Sequence, residues 1–252
     1  MSRLLILRAP QLLLSILVLA ACDRETPLTV EELIDRHVRA VGGRSALEAV
    51  HTIRFDLHIV DSGSFEVNGI YVAARPGPMR IDIKAGGKHV YTEALDGERA
   101  WQWKGKGKPA EASAMAAAAL RHGIEMPGHL FGLHELRSRG DRLAAAGREQ
   151  LNGVEYYRLR LTFVDGESTT LYLDPNSWLI TRRRDVRALH PDIDPTPTTI
   201  ETILSDFRRV GQLMFPFVSA ETDLATGKVL EKATVRSITL NSSVSANKFR
   251  TL

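Results

Sequence analysis

The sequence of 252 residues has one cysteine, Cys22, and therefore no internal disulfide. This excludes a disulfide framework and a cysteine-based zinc site, so stability must come from a hydrophobic core. Neither sign of charge predominates, because the 33 Lys and Arg residues are nearly balanced by 30 Asp and Glu residues. This balance gives no global case for nucleic-acid binding. The apolar stretch at residues 11–21 is shorter than the roughly 20 residues that a transmembrane helix needs.

The N-terminus has the layout of an export signal. Arg3 and Arg8 precede the apolar stretch, which is broken only by Ser15. A positive region followed by a short apolar region is typical of a cleaved secretory signal. The stretch ends in Leu19-Ala20-Ala21-Cys22, which resembles the bacterial lipobox, where small residues precede a lipidated cysteine. We therefore predict a lipoprotein, cut before Cys22 and carrying lipid such as palmitate on it. An ordinary signal that leaves a free thiol is the alternative.

This interpretation divides the chain into a signal peptide (1–21), a polar tether (22–27) and a single domain (28–252). Without Arg3 and Arg8 the chain keeps 31 basic and 30 acidic residues. Two or more acyl chains on Cys22 would anchor it stably without a transmembrane helix. The predicted location is the bacterial cell envelope, facing the periplasm. Asp23 resembles an inner-membrane retention signal, so the inner membrane is favoured over the outer.

Helical signals follow the tether. Thr29 and Glu32 form a capping-box pattern, apolar residues recur at helical spacing as far as Val41, and Gly42-Gly43 ends the helix. A short turn runs from Ser45 to Val50. In the middle of the chain, an alanine-rich helix is predicted over Glu111–His122, and a weaker helical stretch over 126–136.

Most of the remaining sequence alternates with period two, which predicts half-buried strands. Asp96-Gly97, Asn152-Gly153 and Asp165-Gly166 are hairpin signals. We expect roughly a dozen short antiparallel strands with no fixed-period repeat and no second domain. The fold class is mainly β (α+β), with a strongly curved antiparallel sheet that forms an open, incomplete barrel. Predicted strands cover 53–59, 65–74, 79–83, 88–95, 98–104, 149–163, 169–173, 178–186, 200–210, 215–224 and 229–240.

Three segments together resemble the LolA/LolB-like superfamily of lipoprotein-sorting and lipid-carrier proteins. ELIDRHVRAVGGRSALEAVHTIRFD (32–56) is similar to its N-terminal helix, glycine pair and first strand. LTFVDGESTTLYLDPNSWLITRRR (161–184) is similar to its central hairpins, and SDFRRVGQLMFPF (205–217) to a later hairpin. The resemblance implies helices over the open side of a bent sheet and an apolar cavity that holds acyl chains. Of the superfamily's functional residues, only the lipidated cysteine is carried over, onto Cys22.

This predicts a membrane-anchored protein that binds a lipid, or the acyl chain of a lipoprotein, in trafficking. A lipid-responsive sensor or a scaffold with an envelope protein partner is the alternative function. A packed core without a cavity is the alternative for each apolar side chain. We also predict that the glycine-rich loop 105–109 hinges the alanine-rich helix as a lid over Trp101 and Trp103. The predicted cavity residues are Phe55, Leu57, Met79, Ile81, Trp101, Trp103, Leu159, Leu161, Phe163 and Leu171.

Catalytic and metal-binding patterns are absent from the sequence. His134-Glu135 lacks the second histidine of a zincin motif, and Gly43-Arg44-Ser45-Ala46-Leu47 lacks the second glycine of a nucleophile elbow. We therefore predict no enzyme, no metal and no cofactor. Two basic clusters, Lys104/Lys106/Lys108 and Arg182–Arg184, either orient the cavity towards an anionic membrane or form a solvated face.

Overall fold

The computed structural model describes residues 27–128 and 130–250 of the chain. The helices are α1 (Val30–Val41), α2 (Arg44–Glu48), α3 (Ala114–Glu125) and α4 (Leu133–Leu136), with 3-10 turns at Arg137–Arg139 and Ala246–Lys248. The strands are β1 (Thr52–Asp61), β2 (Glu66–Ala74), β3 (Met79–Ala85), β4 (Lys88–Leu95), β5 (Ala100–Trp103), β6 (Ala110–Glu111), β7 (Arg142–Leu151), β8 (Val154–Thr162), β9 (Ser168–Leu173), β10 (Ile180–Arg187), β11 (Thr198–Val210), β12 (Leu213–Asp223) and β13 (Val229–Leu240).

The strands of the described residues form a single 13-stranded antiparallel sheet in the order β6-β5-β4-β3-β2-β1-β13-β12-β11-β10-β9-β8-β7. The first and last strands pair in its middle, with Ile53 opposite Leu240 and Asp61 opposite Glu231. The edges β6 and β7 do not pair with each other, so the sheet stays open. This confirms the predicted fold class, an open and strongly curved antiparallel sheet.

Contacts across the concave side show how far the sheet bends. The loop between β10 and β11 places the Asp192 carboxylate 2.5 Å from Gln102 Nε2 on β5 and 3.2 Å from the Ser113 backbone N–H. Seven strands separate β5 from β10 in the sheet order. Helix α3 makes a second bridge, because His122 bonds Asp165 at 2.8 Å and stacks on Phe163. The two halves of the sheet are therefore joined across the open side.

Helix α1 begins and ends where its sequence predicts. The Thr29 hydroxyl accepts from the Glu32 backbone N–H at 3.2 Å, and Glu32 accepts from the Thr29 N–H at 2.8 Å. At the other end, Gly42 has a φ of +128°, and a Cβ there would lie 2.4 Å from the Gln212 carbonyl oxygen. Only glycine lets the helix end approach the β11–β12 hairpin so closely.

Two apolar clusters fill the concave side. The first joins the N-terminal strands and β12 to Ala117 and Ile124 of α3. The second joins α1 and α4 to strands β7 to β10. The helices therefore cover the sheet from inside, which positions α1 and α3 around any remaining space.

Three local predictions are corrected. Helix α3 begins after Ser113, whose hydroxyl accepts from the Ala116 N–H, and it continues through Gly123 instead of ending there. Among the described residues of 126–136, which leave out 129, only Leu133–Leu136 is α-helical. The predicted strand from 149 also begins earlier, at Arg142. Alanine-rich sequence in β7 and a bulge between Ala145 and Arg148 conceal the period-two pattern.

The predicted signal peptide and Cys22 lie outside the described residues, as does the predicted tether up to residue 26. Among the described residues, no helix has the length and apolar character needed to cross a membrane. The predicted anchor and domain boundaries remain predictions.

Candidate ligand cavity

A cavity of about 280 Å³ lies on the concave side of the sheet. This exceeds by far the roughly 10–15 Å³ that one water needs, and it is near the lower end of ligand pockets, at about 300 Å³. Its wall is mostly apolar because the inward positions of several strands carry aliphatic and aromatic side chains. The apolar lining consists of Val41, Phe55, Leu57, Ile59, Tyr71, Ile81, Met126, Pro127, Leu171, Ile180, Leu204, Phe207, Met214, Pro216, Ala233 and Val235.

Four of the ten predicted cavity residues line this space, namely Phe55, Leu57, Ile81 and Leu171. Met79 packs in the first apolar cluster, among β1, β4 and β12 residues. Leu159, Leu161 and Phe163 pack in the second, against α1 and α4. These four point inward, but neighbouring side chains fill the space around them. Contact of any of these residues with a ligand remains a prediction.

Trp101 and Trp103 require a correction, because they lie on the convex face. Leu95 and Ala100 are paired across β4 and β5, and both belong to the inner apolar cluster. Alternation therefore turns Trp101 outward, where its Nε1–H donates to the Phe249 carbonyl at 3.0 Å. The prediction failed because both faces of β5 are buried, the outer one by the C-terminal tail.

The predicted lid is also corrected. Helix α3 packs on the concave side through Ala117 and Ile124, so it does not cover Trp101 and Trp103. The loop 105–109, which we predicted to be the hinge of α3, is fixed by a hydrogen bond. Trp103 Nε1–H donates to the Gly107 carbonyl at 3.1 Å. A Cβ on Gly105 would lie 2.8 Å from the Val90 carbonyl oxygen. Alanine at Gly105 would thus disturb the fold itself and would not report on a hinge.

Several lining residues were not predicted. Val41 and His37 come from α1, and residues 126–128 form another part of the wall. Helical periodicity predicts that the inner face of α1 is buried, but it does not show whether that face packs against side chains or lines a cavity. Ile200, Thr202 and Leu204 alternate on β11, a signal that could have placed this strand in the wall.

His37 places a polar ring in the cavity wall. It is 5% exposed, and its Nδ1 lies 2.9 Å from the Trp178 carbonyl oxygen. Burial lowers its pKa to about 4, so the ring is neutral at physiological pH. Because a carbonyl can only accept, Nδ1 carries the proton and Nε2 is a hydrogen-bond acceptor.

One end of the cavity is polar, near the hairpin that joins β12 to β13. Glu221 accepts from Arg183 Nη2 at 3.2 Å and from Arg187 Nη2 at 2.7 Å. Arg183 Nε also donates to the Thr202 hydroxyl at 3.0 Å, and Arg187 Nε to Asp185 at 3.2 Å. Burial by itself would raise the pKa of Glu221, but the two arginines hold it below its usual value. The two cations therefore balance the two carboxylates.

Glu231 lines the same end without such a balance. It lies opposite Glu221 on β12 and opposite Asp61 on β1. Burial, followed by the repulsion from Glu221, raises its pKa from 4.5 to about 7. The positive charge of Arg187 acts in the opposite direction, and the carboxylate of Asp61 adds to the increase. Glu231 is thus partly protonated near neutral pH.

The basic run Arg182–Arg184 is divided between the two faces of the sheet. Arg183 faces the cavity, whereas Arg182 and Arg184 both bond Glu201 on the convex face. Arg184 also reaches Glu149 at 2.8 Å. Ion pairs within the sheet therefore occupy these three arginines, and the run is not a free basic patch.

Two other histidines that could have chemical roles form hydrogen bonds within the fold. His134 bonds Glu48 at 3.2 Å, and His122 bonds Asp165. Within residues 27–128 and 130–250, no group of three His, Cys, Asp or Glu residues is placed to hold a metal ion. His129 lies outside the described residues.

No family model matches this sequence, and no curated protein matches it. Solved structures do match. The chain is 10% identical to a DUF1329 family protein from Desulfovibrio piger, with a TM-score of 0.60 over 88% of this chain and 97% of that one. A domain from Vibrio parahaemolyticus, described as an outer membrane lipoprotein-sorting protein, gives 10% identity and a TM-score of 0.58, over 88% and 96% of the two chains.

A LolA superfamily protein from Nitrosomonas europaea is similar as well. It is 11% identical to this chain, with a TM-score of 0.56 over 88% of this chain and 97% of its own. At sequence identities as low as these, the similarity to the three solved structures shows the fold alone. The chain has a LolA/LolB-like fold, as the three sequence segments predicted.

Proposed function

We propose that this protein is a lipid-anchored protein of the bacterial envelope that holds a lipid, or the acyl chain of a lipoprotein, in its cavity. The single observation that carries the proposal is the apolar cavity of about 280 Å³ inside the curved sheet. The LolA/LolB-like fold supports such a role, as does the predicted export signal at residues 1–21. The role that we propose is binding and transfer rather than catalysis. The lipoprotein-sorting description of one structural neighbour is in keeping with it.

The energetics favour an acyl chain as the ligand. Each methylene that moves from water into an apolar site contributes about 0.8 kcal/mol. A cavity that takes several methylenes therefore gains enough free energy to offset the cost of association, without any polar contact. The apolar lining supplies this surface from β1, β3, β11 and β13 together.

Filling the cavity tests the proposal. Ala233 lines the cavity on β13, so Ala233→Phe should occupy part of it and lower the uptake of an uncharged fluorescent long-chain alcohol about tenfold or more. The matched control is Ala144→Phe, since Ala144 is exposed on the edge strand β7. Uptake should be measured on the domain from residue 28, with circular dichroism to verify folding. Equal uptake by both variants, or none by the wild type, would overturn the proposal.

Lipid extraction from the purified protein identifies the ligand class by mass spectrometry. If the purified protein contains no lipid and binds a protein partner stoichiometrically, the sensor or scaffold role is favoured instead.

Anchoring is tested separately. Cys22→Ala should abolish labelling by a fatty-acid analogue, and a labelled variant would exclude the lipobox. Fractionation against inner- and outer-membrane markers tests the preference that Asp23 indicates.

A further inference from the structure

Among the described residues at the polar end of the cavity, every cation is already paired with a carboxylate and none is left for an anionic ligand. Arg183 is the only lysine or arginine among the described lining residues, and its donors reach Glu221 and Thr202. Arg187 is not a lining residue, and it is paired with Glu221 and Asp185. An anionic head group would have to displace Glu221 and would then lie beside several carboxylates.

Glu231 forms no ion pair with any described residue, although the charge of Arg187 acts on it from a distance. It lines the cavity, and none of the described residues donates a hydrogen bond or forms an ion pair with it. Its neighbours across the sheet are Glu221 and Asp61, and like charges directly opposite each other are destabilising. A half-buried carboxyl in this position costs stability, and a cation at the cavity end would remove that cost.

The rest of the cavity sets the orientation of a ligand. Glu221 and Glu231 lie near the β12–β13 hairpin, whereas Val41 and Met214 lie towards α1 and the β11–β12 hairpin. Between the two ends the wall is formed by side chains such as Leu57 and Val235. An elongated molecule would therefore place its apolar tail towards α1 and its head group at Glu231.

We propose that the cavity selects amphiphiles whose head group carries an ammonium or a similar cationic hydrogen-bond donor, which Glu231 binds. The proposal rests on the proposed lipid-binding function and specifies its ligand class. The bound ammonium donates to the Glu231 carboxylate and balances the excess negative charge at this end. Hydrogen bonds between charged partners are about twice as strong as neutral ones.

Three ligands with the same alkyl chain test the proposal on the wild-type domain by calorimetric titration below their micelle concentrations. Dodecylammonium should bind about tenfold more tightly than dodecanol, and dodecanoate should bind most weakly. Glu231→Gln keeps the shape of the side chain but removes its charge, so its dodecylammonium affinity should fall to that of dodecanol. Glu98→Gln is the matched control, since Glu98 is exposed in the β4–β5 turn and should leave the ranking unchanged.

The outcomes separate the two proposals. Equal affinities for all three ligands, or tightest binding of dodecanoate, would overturn the cationic preference while lipid binding stands. Binding of none of the three would overturn both. The wild-type ranking does not depend on how well Glu231→Gln folds. An unchanged dodecylammonium affinity in a folded Glu231→Gln domain would remove Glu231 from the site.

Discussion

At the scale of single residues, Glu231 links the cavity to the pH dependence of stability. Its pKa rises from 4.5 to about 7 in the folded protein, through burial and the neighbouring Glu221. The folded state therefore binds its proton more tightly than the unfolded state does. The contribution of the Glu231 proton to the free energy of unfolding is fully present below about pH 4.5, and it is lost as the pH rises through about 7.

Glu231→Gln should therefore become more stable relative to the wild type as the pH increases across this window. His37 acts in the opposite direction, because its pKa of about 4 means that acid destabilises the fold. His37 is the same in both proteins, so the difference in their free energies of unfolding isolates Glu231. Urea denaturation at about pH 5 and about pH 8 measures this difference. A difference that is the same at both pH values would contradict the prediction.

At the scale of elements, Arg75 attaches the irregular segment after α3 to the end of β2. Its guanidinium donates to the Val50 carbonyl at 2.7 Å, to the Leu130 carbonyl at 3.1 Å and to Glu135 at 2.5 Å. The Arg75 side chain is 20% exposed, so water replaces these bonds poorly. Residues 126–128 of the same segment form part of the cavity wall, so we expect this cluster to limit the movement of that wall.

Arg75→Met should lower the free energy of unfolding by about 2–3 kcal/mol, since Glu135 loses its counter-charge and the Val50 and Leu130 carbonyls lose this donor. Hydrogen exchange should rise first in residues 126–136. The matched control is Arg44→Met, because Arg44 and its partner Asp35 are both more than half exposed. Such surface pairs contribute roughly 0–1 kcal/mol. Similar losses in the two variants would contradict the role of Arg75.

At the scale of the whole molecule, the sheet depends on pairing between the two ends of the chain. β1 and β13 lie side by side in its middle, although about 180 residues separate Asp56 from its partner Ser237. Such non-local contacts form late, because closing a long loop costs entropy before the contacts stabilise the fold.

Removal of residues 229–252 should therefore leave a chain without stable tertiary structure, because both β1 and β12 lose a partner strand. Removal of residues 242–252 keeps every strand and should give a folded domain with a lower melting temperature. That shorter truncation still removes the contacts of Phe249 with Trp101 and of Lys248 with Asp82. Near-ultraviolet circular dichroism distinguishes the two products. A folded chain without residues 229–252 would contradict this account of the sheet.

Much of the fold was predictable because its signals are local. The Thr29–Glu32 cap, the Asn152-Gly153 turn and the alternation in β4 and β13 depend on neighbours within a few residues. The cavity was predictable only in part. Phe55 and Leu161 have the same period-two pattern, yet one lines the cavity and the other is surrounded by core side chains.

The sequence by itself determined the antiparallel hairpins and the helix before β1, since each depends on a short-range pattern. The lipobox at Cys22 stays a prediction, because Cys22 lies outside the described residues. Only the tertiary structure decided which face of β5 is concave, because its two faces are both buried. It also decided that Glu231 lies beside Glu221 and Asp61, three residues from separate strands. The β12–β13 hairpin brings Glu221 and Glu231 together, whereas Asp61 is added by the pairing of β1 with β13, which no local interaction specifies.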